Sequence, residues 1–127
     1  MMEPNSTTVT WSLLCALLVV SLSLGHAALA AEASVDVAAE FVTAANEGDY
    51  RTVCHLYSPR YLKVSQASCR SLYRWGAQLY GPYDYTIVRW RTLESGHRRV
   101  DLTRWQAPSF IELAHEKTGW RIVAGGW

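Results

Sequence analysis

The sequence predicts an α+β domain, three helices followed by a four-stranded antiparallel sheet. Up to Pro82, apolar residues recur at three- and four-residue spacing, the helical period. Beyond Pro82 the chain turns to short alternating runs rich in β-branched and aromatic residues. Those runs are joined by connections so short that neighbouring strands must be antiparallel.

Ahead of this domain lies an apolar run, residues 13–30 (LLCALLVVSLSLGHAALA), which closes on Ala28-Leu29-Ala30. A short apolar stretch ending in a small-x-small site is the pattern of a secretory leader. The expected division is therefore a leader over residues 1–30 and one domain over 31–127. The flank from Met1 to Trp11 carries Glu3 and no Lys or Arg, and Trp11 to Ala30 is about long enough to span a bilayer. An uncleaved anchor is thus the alternative, and a membrane tether follows only in that case. His26 and the clustered alanines favour cleavage. Cys15 follows Leu14 and sits too early for a lipoprotein site. Asn5-Ser6-Thr7 matches a glycosylation acceptor but belongs to the part removed. The chain is expected to be secreted or held in the cell envelope.

The first helix is read over Val35–Asn46, with Val37, Phe41, Val42 and Ala45 on one side. Ser34 is placed to cap it and Gly48 to end it. Asp49 then caps a shorter helix whose inner stripe is Val53, Leu56 and Tyr57, stopped by Ser58-Pro59. Tyr61, Leu62 and Val64 fall in a connector. Ser65 or Ser68 opens a third helix with the stripe Cys69, Leu72, Tyr73, Gly76 and Leu79 or Tyr80, terminated by Gly81-Pro82. Strands are expected over Tyr83–Leu93, Arg98–Gln106, Phe110–Glu116 and Trp120–Ala124. Ser95-Gly96, Ala107-Pro108 and Lys117-Thr118-Gly119 separate them.

Two cysteines, Cys54 and Cys69, remain after removal of the leader, so only one pairing is open to an exported chain. Cys54 near the end of the second helix and Cys69 near the start of the third are placed to bridge. A domain of this size buries a modest core, and a covalent crosslink compensates. The alternatives are two buried thiols, or a metal held by the pair. No matching His pair supports the latter, so no metal or cofactor is implied.

Residues 31–127 hold twelve bases and ten acids, net +2. Glu32, Asp36, Glu40, Glu47 and Asp49 precede Arg51, and from Arg51 onward twelve bases face five acids. Arginines at alternating strand positions form the solvated face of a sheet, so a nucleic-acid partner is not inferred.

Residues 41–50, Phe-Val-Thr-Ala-Ala-Asn-Glu-Gly-Asp-Tyr, resemble the helix-turn opening "F…A…N.GD" of the nuclear transport factor 2-like superfamily. Glu116-Lys117-Thr118-Gly119-Trp120-Arg121-Ile122 resembles that superfamily's last hairpin, with a Trp after the turn Gly. Small exported bacterial proteins of this type also show cysteines like Cys54 and Cys69. The resemblance implies a cone-like curved sheet around the helices, often enclosing a pocket, and often a homodimer formed through the sheet. It transfers no catalytic residue, because none of its motifs is diagnostic of a reaction.

Within such a cone, His55, His115, Asp84 and Asp101 are the candidate inward titratable groups, with Tyr57, Tyr73 and Tyr80 as hydrogen-bond donors. His115 shares strand parity with Ile111 and Leu113, so the interior is open to it, although a satisfied or rim histidine is the simpler reading. His55 and His97 are expected at the surface. Trp120 and Phe110 read as core. Trp90 and Trp105, flanked by Arg89, Arg91 and Arg104, are expected to stack across the first hairpin. Facing outward they mark a partner surface; facing inward they line the pocket. The candidate pocket or interface is therefore Tyr57, Tyr73, Tyr80, Trp90, Trp105 and His115. The function read from it is non-enzymatic binding of a small apolar ligand or a protein partner. The alternative is a pocket enzyme of the ketosteroid isomerase or polyketide cyclase kind, which needs a buried carboxylate.

Overall fold

The computed structural model describes residues 33–126, so the expected leader, its cleavage site and Trp127 lie outside the described residues. Helix α1 runs through residues 33–47 and turns Ser34, Ala38, Phe41, Ala44 and Ala45 into the core. The helix is already formed at residue 33, which corrects the reading of Ser34 as its cap: Ser34 is a buried helical residue. Asp49 caps α2 (Tyr50–His55), its carboxylate accepting from the Thr52 backbone N–H at 3.2 Å and the Thr52 hydroxyl at 2.7 Å. These bonds hold the Asp49 pKa below its ordinary value. Ser65 caps α3 (Gln66–Tyr80), accepting from the Ser68 N–H at 3.1 Å, and Gly81 closes it.

Helix α2 ends a turn before Ser58. Leu56 and Tyr57 leave it and run beside the last strand instead. The Ile122 N–H donates to the Leu56 carbonyl at 2.9 Å, and the Ser58 N–H donates to the Ile122 carbonyl at 2.8 Å. This short parallel bridge covers one edge of the sheet.

The sheet is an antiparallel meander of β1 (Thr86–Thr92), β2 (Arg98–Arg104), β3 (Ala107–Glu116) and β4 (Gly119–Gly125), in sequence order. Its inner face carries Val100 and Leu102 from β2, Ile111 and Leu113 from β3, and Ile122 from β4. With Phe41, Val53, Cys69 and Tyr73 they form one core. The α+β class and the four antiparallel strands are as the sequence predicts.

Three boundaries differ from the sequence reading. β1 begins at Thr86, because Tyr83 and Tyr85 are buried in the chain leading to it. A bulge between Ile87 and Arg89 breaks the strict alternation, bringing Ile87 and Trp90 to the same side. β2 ends at Arg104, and the turn to β3 is Trp105-Gln106, with φ of 50° and 65°. Two successive positive φ values make the tight hairpin turn that Asn-Gly usually supplies, so nothing in this dipeptide announces it. Ala107-Pro108 therefore opens β3 rather than ending β2.

Cys54 and Cys69 form a disulfide between α2 and α3, with their Cα atoms 6.0 Å apart and both residues buried. Replacing both cysteines by alanine is expected to lower the unfolding free energy by about 3 kcal/mol, from the entropy of a closed loop of this length. Urea unfolding monitored by circular dichroism checks this; an unchanged midpoint would remove the crosslink from any account of stability.

Candidate functional site

The interior of the domain is filled by tyrosines. Tyr57, Tyr73, Tyr83 and Tyr85 are all buried, and their rings contact one another at centroid distances of 5.4–6.4 Å. A buried phenol needs a hydrogen-bond partner, and these converge on the end of the chain. The Tyr73 and Tyr85 hydroxyls donate to the Gly126 carbonyl at 2.8 and 3.2 Å, and Tyr57 approaches the Gly125 carbonyl at 3.4 Å. Tyr57 and Tyr73 also share a hydrogen bond between their hydroxyls. Tyr83 donates to the Tyr73 carbonyl at 2.6 Å, and the Gly125 N–H donates to the Tyr61 hydroxyl at 3.1 Å. Burial pushes the pKa values of all four phenols up, so they remain neutral donors.

Glycine is required at the centre of this cluster. Gly125 and Gly126 have φ of 81° and 88°. A Cβ on Gly126 would lie 2.1 Å from the Tyr57 hydroxyl oxygen, and one on Gly125 would lie 2.2 Å from the Phe110 carbonyl oxygen.

An open cavity lies beside this cluster, between α3 and the β2–β3 turn, with a volume of about 280 Å³. Tyr73 and Gly126 form its inner wall, and Trp75, Tyr80, Tyr83, Arg104 and Trp105 surround its mouth. Trp105 is the keystone. Its indole stacks on Tyr83 at 4.9 Å and tilts against Tyr80 at 4.6 Å. Its Nε1 donates to the carbonyls of Pro82 at 3.0 Å and Gly81 at 3.3 Å, tying the sheet turn to the C-terminal cap of α3. Trp75 and Tyr80 are 60% and 64% exposed, large apolar side chains left at the rim. On the wall, a Cβ on Gly76 would lie 2.5 Å from the Tyr83 hydroxyl oxygen, so helix and ring meet with no room for a side chain.

Of the residues expected to form a site, the structure brings Tyr73, Tyr80 and Trp105 to this cavity, with Tyr57 behind it in the core. It separates the others. Trp90 packs against the core on β1, opposite Val100 and under the Arg98 guanidinium, so the expected Trp90–Trp105 stack does not form. The reason is the Trp105-Gln106 turn, which takes Trp105 off the paired strands. His115 is exposed, against the cross-strand Trp120 ring at 5.3 Å, because the end of β3 opens to solvent. Leu72, Leu79 and Tyr80 are exposed rather than part of the buried stripe of α3, which reduces to Cys69, Tyr73 and Gly76. Phe110 and Trp120 are half-buried; Trp120 packs against the core and Phe110 lies under the Arg99 guanidinium.

The other candidate inward groups are also outside. Asp84 and His55 are exposed. His97 pairs with Glu112 at 2.8 Å at the half-exposed end of the first hairpin. Asp101 lies on the solvent face of the sheet among Arg89 and Arg99, at 2.8 and 2.9 Å, with Arg91 at 3.4 Å. Hydrogen bonds from Arg89 and Arg99 draw its pKa down to about 2. Trp75, Tyr83 and Arg104 were not among the expected site residues. Tyr83 reads as strand, and Trp75 falls off the apolar stripe of α3; its being off the stripe was the available signal.

Among the described residues, no carboxylate is buried, and no group of three or more His, Cys, Asp and Glu is placed to hold a metal. Among the same residues, no helix is long and apolar enough to cross a membrane. Comparisons with protein-family models, curated proteins and solved structures find no match.

Two predictions follow from this geometry. Gly126→Ala is expected to destabilise the domain by about 2 kcal/mol or more, through strain at positive φ and displacement of Tyr57; a thermal midpoint equal to wild type would show that the phenol cluster tolerates a moved chain end. Asp101 has a depressed folded pKa, so its stabilisation is present above its ordinary value of 3.8 and is lost as pH falls toward about 2. Asp101→Asn is therefore expected to flatten the acid-unfolding curve between about pH 4 and 2, with the wild-type excess stability seen at neutral pH.

Proposed function

We propose that this chain is a small exported binding domain without catalytic activity, of the nuclear transport factor 2-like cone type, that takes up a small apolar ligand between α3 and the β2–β3 turn. The observation that carries this reading is the chemistry of the cavity: its mouth is aromatic, the phenols of Tyr73 and Tyr83 are already committed to backbone carbonyls, and among the described residues no carboxylate lines it. Isomerase or cyclase chemistry calls for a carboxylate or imidazole facing the substrate. Asp84, Asp101, His55 and His115 face elsewhere.

Export is supported by the leader-like run and by the disulfide, which persists in oxidising compartments. Family membership rests on the sequence resemblance and on the helices-then-meander order. Exposed Trp75 and Tyr80 at the cavity rim supply apolar contact area of the kind that ligand sites use, and the volume lies just below the roughly 300–1,000 Å³ typical of such sites, which suits a ligand smaller than drug size.

The intact mass of the natively exported protein is expected to place its N-terminus near Ala31 and to lack the two thiol hydrogens of Cys54 and Cys69. Titration with 2-naphthalenemethanol is expected to quench tryptophan fluorescence to saturation. The paired substitution Trp75→Ala and Tyr80→Ala, both at exposed positions, is expected to weaken binding about tenfold or more, two aromatic contacts being lost. A linear, unsaturable response in the wild-type protein would remove the cavity as a ligand site.

A further inference from the structure

Among the described residues that line it, the cavity carries one cation and no anion. Arg104 is half-buried at its mouth, with its guanidinium carbon 4.9 Å from the Trp105 ring centroid. The ion pairs among the described residues engage Arg89, Arg91, Arg99 and His97, and leave Arg104 without a carboxylate. Its polar neighbour is the Tyr85 phenol, which burial keeps neutral. A guanidinium partly withdrawn from water and unpaired with a carboxylate favours an anion more strongly than an exposed one. The contrast with the sheet face is direct, since there a single Asp101 serves three arginines.

The surrounding surfaces are ring faces. Tyr83 and Trp105 stack with an interplanar angle of 23°, Tyr80 is tilted at 42° to the Trp105 ring, and Trp75, exposed, lines the same cavity. Trp105 is held there at φ 50°, a conformation that a non-glycine residue disfavours and that persists where the surroundings fix it. Asparagine or glycine would make the same turn without that strain, but would supply no ring over the cavity.

We propose that the cavity takes a planar aromatic acid, one or two fused rings bearing a single carboxylate, with the rings against Trp75, Tyr80 and Trp105 and the carboxylate on Arg104. This rests on the ligand-binding reading above and narrows it to a charge and a shape. One guanidinium balances one carboxylate, and a polyanion would find no second cation among the described residues of the lining.

The test is calorimetric titration of the oxidised protein with 2-naphthoate and with its neutral counterpart 2-naphthalenemethanol, at low salt. The expected result is that 2-naphthoate binds about tenfold or more tighter, the scale of a charge-assisted hydrogen bond. Arg104→Gln is expected to bring the ratio of the two probes' affinities to about one, and Arg104→Lys to retain a preference for the acid. The thermal midpoint of each variant reports that the domain is folded. Equal affinity of the two probes for the wild-type protein overturns the anion assignment and leaves the apolar cavity standing. A preference for naphthoate that survives Arg104→Gln overturns it as well. Binding of neither probe overturns this assignment together with the ligand-binding reading.

Discussion

Four phenols cannot be buried without acceptors, and meeting that requirement shapes this domain. Tyr57, Tyr73, Tyr83 and Tyr85 come from the α2–α3 connection, from α3 itself and from the approach to β1. The carbonyls of Gly125 and Gly126 serve three of them, and the Tyr73 carbonyl serves the fourth. The end of β4 must therefore turn inward, and only residues without a Cβ can make that approach. Each unmet phenol would cost about 1–3 kcal/mol in desolvation, a large share of the stability of a small domain. The polar network and the apolar core are thus one construction, and its members are neutral because burial disfavours the phenolate.

Filling the interior in this way moves any binding site outward. Here the interior is taken up by rings and by the Gly125-Gly126 backbone. A cavity stays open at the seam where the second half of α3 meets the β2–β3 turn. The disulfide fixes the first turn of α3 to α2, and the indole N–H of Trp105 fixes its last residues to the sheet. Between those two anchors α3 exposes Leu72, Trp75 and Leu79, side chains that a helix of this length would otherwise bury. Anchoring both ends of the helix lets its middle carry exposed apolar surface without losing its place.

Much of the fold is readable from residues acting through local rules. Asp49 and Ser65 cap because their oxygens reach the backbone N–H three residues on, and Gly81-Pro82 ends a helix in almost any context. The cysteine pair had a single partner choice. Residues whose placement depends on distant contacts fall elsewhere than local rules put them. Tyr83 and Tyr85 look like strand by composition, but their phenols are drawn to Tyr73 and Gly126. Leu72 and Leu79 fit the helical period, and the period cannot say which flank of a stripe will be covered. His115 has the parity of Ile111 and Leu113, but parity does not reveal where a strand outruns the helices. The bulge at Ile87–Arg89 is likewise silent in the sequence, though it decides that Trp90 points inward.

The same distinction separates the two groups of arginines. On the solvent face, Arg89, Arg91 and Arg99 fall at register positions around Asp101, and β pairing alone would bring them there. They share that one carboxylate and are screened by water, so the basic character of the later half of the chain carries little recognition in itself. Arg104 differs because a turn, not a strand, positions its neighbourhood. Trp105 and Gln106 adopt a backbone geometry that their side chains disfavour, and the indole contacts with Tyr80, Tyr83 and the Pro82 carbonyl hold it in place. The strain, the half-buried cation and the exposed rings therefore meet within a few residues of one turn. Each is unfavourable alone, and only the fixed surroundings of the turn hold the three together.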